Sequence, residues 1–184
     1  PSPTLRNLAP AAVRAFLLVG DRAHAAQWYT QVAPQGQGIG REARELSALM
    51  RISDPAGPGG NGAQIEADLR ADLRSGVSAT RLFGAQEALL LQALGYPVPQ
   101  DIMAAAATAA PTDLMNQLQN AASKGAVGEV VLLSLVSIGP GGPDGAIPQV
   151  IAQAVSSLRA VNLGDEARRL ATEALMGRSH AAPG

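Results

Sequence analysis

Near its two ends the chain carries the same short phrase, Val19-Gly20-Asp21-Arg22-Ala23 and Leu163-Gly164-Asp165-Glu166-Ala167. In both places an apolar run of helical period stops at a glycine, an aspartate follows, and a second alanine-rich run begins. Glycine reaches the left-handed backbone that ends a helix, and aspartate offers a side-chain oxygen to the free N–H groups that begin one. Such a phrase folds into a helix, a tight turn and an antiparallel helix. Its recurrence predicts a chain built from stacked helical hairpins.

Composition points the same way. Hydrophobic residues are 47% and charged ones 16%, a balance that excludes a disordered segment, and 184 residues suffice for a real core. Aromatic residues are only 3%, so the apolar mass is mainly alanine, leucine and valine, which favours close helix contacts. The predicted fold is all-α: an irregular array of about ten helices in antiparallel hairpins, an α-solenoid or a compact helical-repeat domain.

Along the chain, residues 1–9 hold two prolines and no clear period, and are read as an extended lead-in. Residues 10–177 form the helical-repeat domain, with a hinge or surface loop in the glycine and proline segment 54–62, and 178–184 are a flexible tail. From Pro10, Val13, Phe16 and Leu17 recur at helical spacing up to Gly20, and Asp21 caps a helix through Ala25, Trp28, Tyr29 and Val32. A third helix turns Ala43, Leu46, Leu49 and Met50 inward, with Arg41 and Glu45 as an exposed pair. In the fourth, Ile65, Leu69 and Leu73 share one face, and Glu66, Asp68, Arg70, Asp72 and Arg74 surround the solvent side.

A long fifth helix starts at Ser78, a sixth spans 100–109, and Thr112 caps a seventh. The eighth, 127–138, is apolar nearly all round and is expected at the centre of the core. A loop follows at 139–145, then an amphipathic helix carrying Ile147, Ile151, Ala154, Val155, Leu158 and Val161, then a last helix capped by Asp165. Three junctions align loosely, at Val13-Arg14-Ala15-Phe16, Leu91-Gln92-Ala93-Leu94 and Leu158-Arg159-Ala160-Val161. Their spacing is irregular, which describes related hairpins and no fixed-period array.

Little in the chain carries chemistry. A formal net charge of −1 with scattered arginines lacks the basic footprint of a nucleic-acid binder. The absence of cysteine removes disulfides, thiolate zinc sites and a cysteine nucleophile, and no apolar run approaches the roughly 20 residues of a membrane span. The two histidines, His24 and His180, form no HExxH, and no GxSxG occurs. The glycine-rich segments 36–40 and 57–62 lack the strand and the Gly-Lys-Ser/Thr ending of phosphate loops. The carboxylates Glu66, Asp68 and Asp72, and Glu42 with Glu45, sit beside arginines on faces read as solvated, and Glu129 suits the positive end of a helix dipole. The expectation is therefore no catalytic residue, no cofactor and no metal. Trp28, Tyr29, Tyr96 and His24 are the interface candidates, as aromatic groups near the hairpin turns.

The run Gly20-Asp21-Arg22-Ala23-His24-Ala25-Ala26-Gln27-Trp28-Tyr29 resembles the small-residue turn and second helix of tetratricopeptide-like repeats, as does Gly164-Asp165-Glu166-Ala167-Arg168-Arg169-Leu170-Ala171. The resemblance covers about a quarter of the chain and lacks the regular period of roughly 34 residues. It implies a scaffold that binds protein or peptide segments. The alanine-rich texture, with one lysine, also resembles helical portions of uncharacterised bacterial envelope proteins, which implies a periplasmic or secreted setting over a cytoplasmic one. The expected function is thus a non-enzymatic helical scaffold or interaction domain, without nucleic acid or transmembrane partners. Two alternatives stand beside it: a helical domain binding a small apolar ligand, or forming the non-catalytic part of an enzyme, and a homo-oligomeric structural subunit.

Overall fold

The computed structural model describes residues 3–32, 40–54, 61–107 and 113–180. Among these residues it contains helices and no strand, so the protein is all-α as its composition predicts. The helices are α1 (Pro3–Leu18), α2 (Arg22–Tyr29), α3 (Arg41–Ser53), α4 (Gly62–Leu73), α5 (Ser78–Ala93), α6 (Gln100–Ala106), α7 (Asp113–Ser123), α8 (Val127–Ile138), the single turn α9 (Gly142–Gly145), α10 (Pro148–Ala160) and α11 (Gly164–His180). The chain divides into two compact units, Pro1–Asn61 and Gly62–Gly184. Of the segment 54–62 between them, residues 55–60 lie outside the described residues, as does the predicted cap Thr112.

In the first unit α1 packs on α2 and α3. Ala9, Val13 and Leu17, at i,i+4 spacing on α1, are buried, and Arg14 on the same helix reaches Glu42 at 3.2 Å and Glu45 at 3.7 Å on α3. The expected extended lead-in is therefore corrected, because α1 begins at Pro3. Proline suits a first helical turn, and the buried stripe carries the helix through Pro10 despite its missing N–H.

In the second unit α10 is the hub, packing against α5, α7, α8 and α11. Ile151, Ala154, Val155, Leu158 and Val161 are buried, as the 3.6 period predicts, and Val150 joins them, but Ile147 is corrected: it is 51% exposed, because it stands before the first turn as the N-cap. Small residues on α11, Ala167, Ala171 and Ala174, are fully buried in the same unit.

One turn closes four of the hairpins. At Gly20, Gly95, Gly125 and Asn162 the backbone has positive φ, and in each case the next N–H returns to the carbonyl five residues earlier: Asp21 to Phe16, Tyr96 to Leu91, Ala126 to Ala121 and Leu163 to Leu158. This is the Schellman closure. It shows that the twice-written phrase is used in two registers. Gly20 takes the left-handed position and Asp21 caps α2, its carboxylate accepting the His24 N–H at 3.1 Å. At the other end Asn162 takes that position, so Gly164 and Asp165 lie inside the first turn of α11. Asn162 tolerates left-handed backbone better than most side chains.

The expected flexible tail is also corrected at its start, since α11 runs to His180. Gln86 of α5 is 0% exposed and gives its amide hydrogen to the Ala174 carbonyl at 3.0 Å. Its amide oxygen accepts from Arg178 Nε at 2.8 Å, and Arg178 Nη2 donates to the Ala146 carbonyl at 3.2 Å. A polar side chain buried with its bonds made holds the end of the chain in place. Gln86→Leu keeps the volume but strips partners from Arg178 and the Ala174 carbonyl, and a loss of about 1–3 kcal/mol in urea unfolding is expected. Wild-type stability in that variant would mean the network contributes nothing.

Helices α4 and α6 are joined by Arg70, whose Nε donates to Asp101 Oδ2 at 3.0 Å while Nη1 reaches Glu66 Oε2 at 3.1 Å. The guanidinium holds the Asp101 carboxyl below the usual carboxylate range. Asp21 is lowered too, first by the His24 backbone N–H and then by the His24 ring. A folded pKa below the unfolded value of about 3.9 means a contribution that is complete above about pH 5 and lost as pH falls through the folded value. Asp101→Asn is therefore expected to make stability fall less steeply between about pH 5 and pH 2, and to lower it at neutral pH by the same amount, a small one because the pair is exposed. Urea midpoints across that range test it, and an acid limb as steep as wild type's would exclude the pair from solution.

Candidate functional site

The four interface candidates do not share one environment. Tyr29 is 4% exposed, and its hydroxyl donates to Ser47 Oγ at 3.1 Å, so it serves as a core link between α2 and α3. Trp28 is half-buried. His24 is exposed, stacks on Phe16 with ring centroids 5.2 Å apart, and points Nδ1 at Asp21 Oδ2 at 2.7 Å. A carboxylate only accepts, so the ring nitrogen is the donor, and Asp21 closes the α1–α2 turn with both oxygens. Tyr96 is half-buried in the α5–α6 turn and belongs to the second unit.

The carboxylates are engaged structurally. Glu45 is corrected from an exposed pair to a nearly buried one: Arg41 Nε donates to it at 2.8 Å and Arg14 approaches at 3.7 Å. Asp72 is corrected as well, being 8% exposed where a solvated face was expected. The close approach of α5 at Gly84 covers it. Asp68 accepts from Gln64 at 2.7 Å. Glu129 is exposed in the first turn of α8, where the dipole favours it. Among the described residues no three His, Cys, Asp or Glu side chains converge on one point.

Two clefts of about 280 Å³ open on the second unit. One lies between α5, α7 and α10, with Leu89, Ala93 and Met115 as its apolar lining and Gln92, Gln149 and Gln153 as its polar one. Three amides without a charge suit neutral hydrogen-bonding groups, and the volume admits one small fragment or side chain. The other, beside Leu73, Leu82 and Ala85, has Arg81 at its edge.

The largest departure from expectation is α8. Expected at the centre of the core, it lies at the surface, and only Val130 and Ser134 along it are buried. Leu132, Leu135 and Val136 are 65%, 63% and 65% exposed. At 100° per residue they fall with Gly128 on one arc opposite Val130 and Ser134. The inward side thus carries Val130 with a serine, while two leucines and a valine face outward, where an amphipathic helix carries polar residues. Ser137 also turns its hydroxyl onto its own helix, donating to the Leu133 carbonyl at 2.7 Å. The positions of the two serines were the signal available in the sequence: they mark one side of an otherwise apolar helix. Among the described residues no helix is long and apolar enough to cross a membrane.

No protein-family model, no curated protein and no solved structure matches this chain.

Proposed function

We propose that this protein is a non-enzymatic helical interaction domain that binds protein through the outer face of α8. The observation that carries the reading is the apolar outer face of α8, with Leu132, Leu135 and Val136 in solvent. A contiguous apolar surface of this size is comparable to the largest patch that a soluble chain usually exposes, and such patches often serve as contact sites. In this reading the hairpins form an irregular scaffold of tetratricopeptide-like kind, which agrees with the four equivalent turns. A bacterial envelope setting, periplasmic or secreted, belongs to the same reading and rests on the alanine-rich, single-lysine composition.

The test compares capture by wild type with capture by Leu132→Asp/Val136→Asp. The expected result is loss, in the variant, of proteins retained by wild type, this chain included, with an unchanged circular dichroism spectrum. Equal retention by both would refute the reading.

A second reading is favoured by the cleft between α5, α7 and α10, whose three glutamines suit a small neutral ligand. The sequence alternative is a small apolar ligand; the amides favour one that also carries neutral hydrogen-bonding groups. A ligand-dependent rise in melting temperature that Gln153→Leu abolishes would support it.

A further inference from the structure

We infer that the outer face of α8 pairs with the same face of a second copy, antiparallel, to form a weak and reversible homodimer. The inference rests on the proposed interaction role of that face and names its partner. Three observations bear on it: composition favours a second copy over an unrelated protein, area sets the strength expected of the pair, and charge sets its direction.

The first is composition. Leu132, Leu135 and Val136 form the exposed arc, Gly128 continues it with open space where a Cβ would stand, and α8 contains no aromatic residue, lysine or arginine. Interfaces between different proteins are anchored by tryptophan, tyrosine and arginine. An uncharged aliphatic strip resembles a domain core cut in two, which is how homodimer interfaces look. The lack of basic residues on the helix also leaves it poorly suited to an anionic membrane surface.

The second is area. The three exposed side chains, with the half-buried Val131, Leu133 and Ile138 at the borders, offer roughly 350–400 Å² of apolar surface per copy. Homodimer interfaces are about 65% apolar, so this strip corresponds to a total interface of roughly 1,100–1,200 Å². That is the lower end of what specific association requires, the class of weak and transient contacts.

The third is charge. Glu129 is the acidic residue of α8 and lies near its N-terminal end. Parallel pairing would set the two Glu129 carboxylates at one level. Antiparallel pairing, with Leu132 of one copy against Leu135 of the other, separates them by about 13 Å along the axis, beyond the Debye length of about 8 Å at physiological ionic strength.

Sedimentation velocity from about 5 to 500 µM measures the association, with an expected Kd in the range of about 10–100 µM and at least a tenfold weakening in Leu132→Asp. A monomer throughout this range refutes the dimer. The chain has no cysteine, so single-cysteine variants report geometry without background. Leu132→Cys is expected to be joined by a short bismaleimide into a covalent dimer, and Glu129→Cys is not. Equal cross-linking at both positions would overturn the antiparallel arrangement. If wild type is monomeric while Leu132→Asp/Val136→Asp still abolishes capture of another protein, the dimer fails and the interaction reading stands. If that capture is also unaffected, both fail.

Discussion

Gly84→Ala is expected to destabilise the protein by about 1–3 kcal/mol, against the direction that helix propensity alone gives. Gly84 lies inside α5, where alanine is ordinarily better than glycine by about 1 kcal/mol. Here a Cβ would stand 2.5 Å from the Asp72 Cβ and 3.4 Å from its Oδ2. A Cβ cannot swing aside as the end of a long side chain can, so α4 and α5 must separate or Asp72 must leave its place. Gly128, near the start of α8, is the control, because nothing lies within 4 Å of its added Cβ. Gly128→Ala should be neutral or stabilising by up to about 1 kcal/mol. Urea unfolding of the two variants beside wild type decides the matter. Gly84→Ala as stable as wild type would mean that α4 and α5 do not approach as closely as described.

Ile151→Ala should remove about 2–5 kcal/mol, a large part of the 5–15 kcal/mol by which domains are stable. Ile151 is 0% exposed on α10, the helix against which α5, α7, α8 and α11 all pack. Ala154 on the same helix, and Ala167 and Ala171 on α11, which packs against α10, are also fully buried and have no longer side chain to reach into a new void. The cavity should therefore stay open, and the loss should fall in the upper half of the range. Ile147, 51% exposed just before α10, provides the contrast, and Ile147→Ala should change stability by less than about 0.5 kcal/mol. Equal losses at the two positions would contradict the assigned faces of α10.

Much of the fold was legible because it is local. Asp21 caps α2 as its spacing after Gly20 predicts, and α10 buries the face that its 3.6 period marks. Other features depended on partners that lie far away in sequence. Arg178 reads as part of a tail until Gln86, ninety-two positions earlier, is brought to it by α5. Asp72 reads as a solvated charge until the bare backbone of Gly84 arrives beside it. Tyr29 reads equally as an interface aromatic or a core one until Ser47 meets its hydroxyl.

The candidate site was hidden for a related reason. Hydrophobicity shows that α8 is apolar on every side, but not how many of those sides the rest of the chain covers. The eye sends such a helix to the core, yet α7, α9 and α10 cover only part of its circumference. The sequence by itself determined that this protein is all-α, where most of its helices start and stop, and that hairpins join them, because capping and turn chemistry act within a few residues. Only the tertiary structure decided which apolar surface remains in water. Burial is a property of the whole packed chain, and no single helix encodes it.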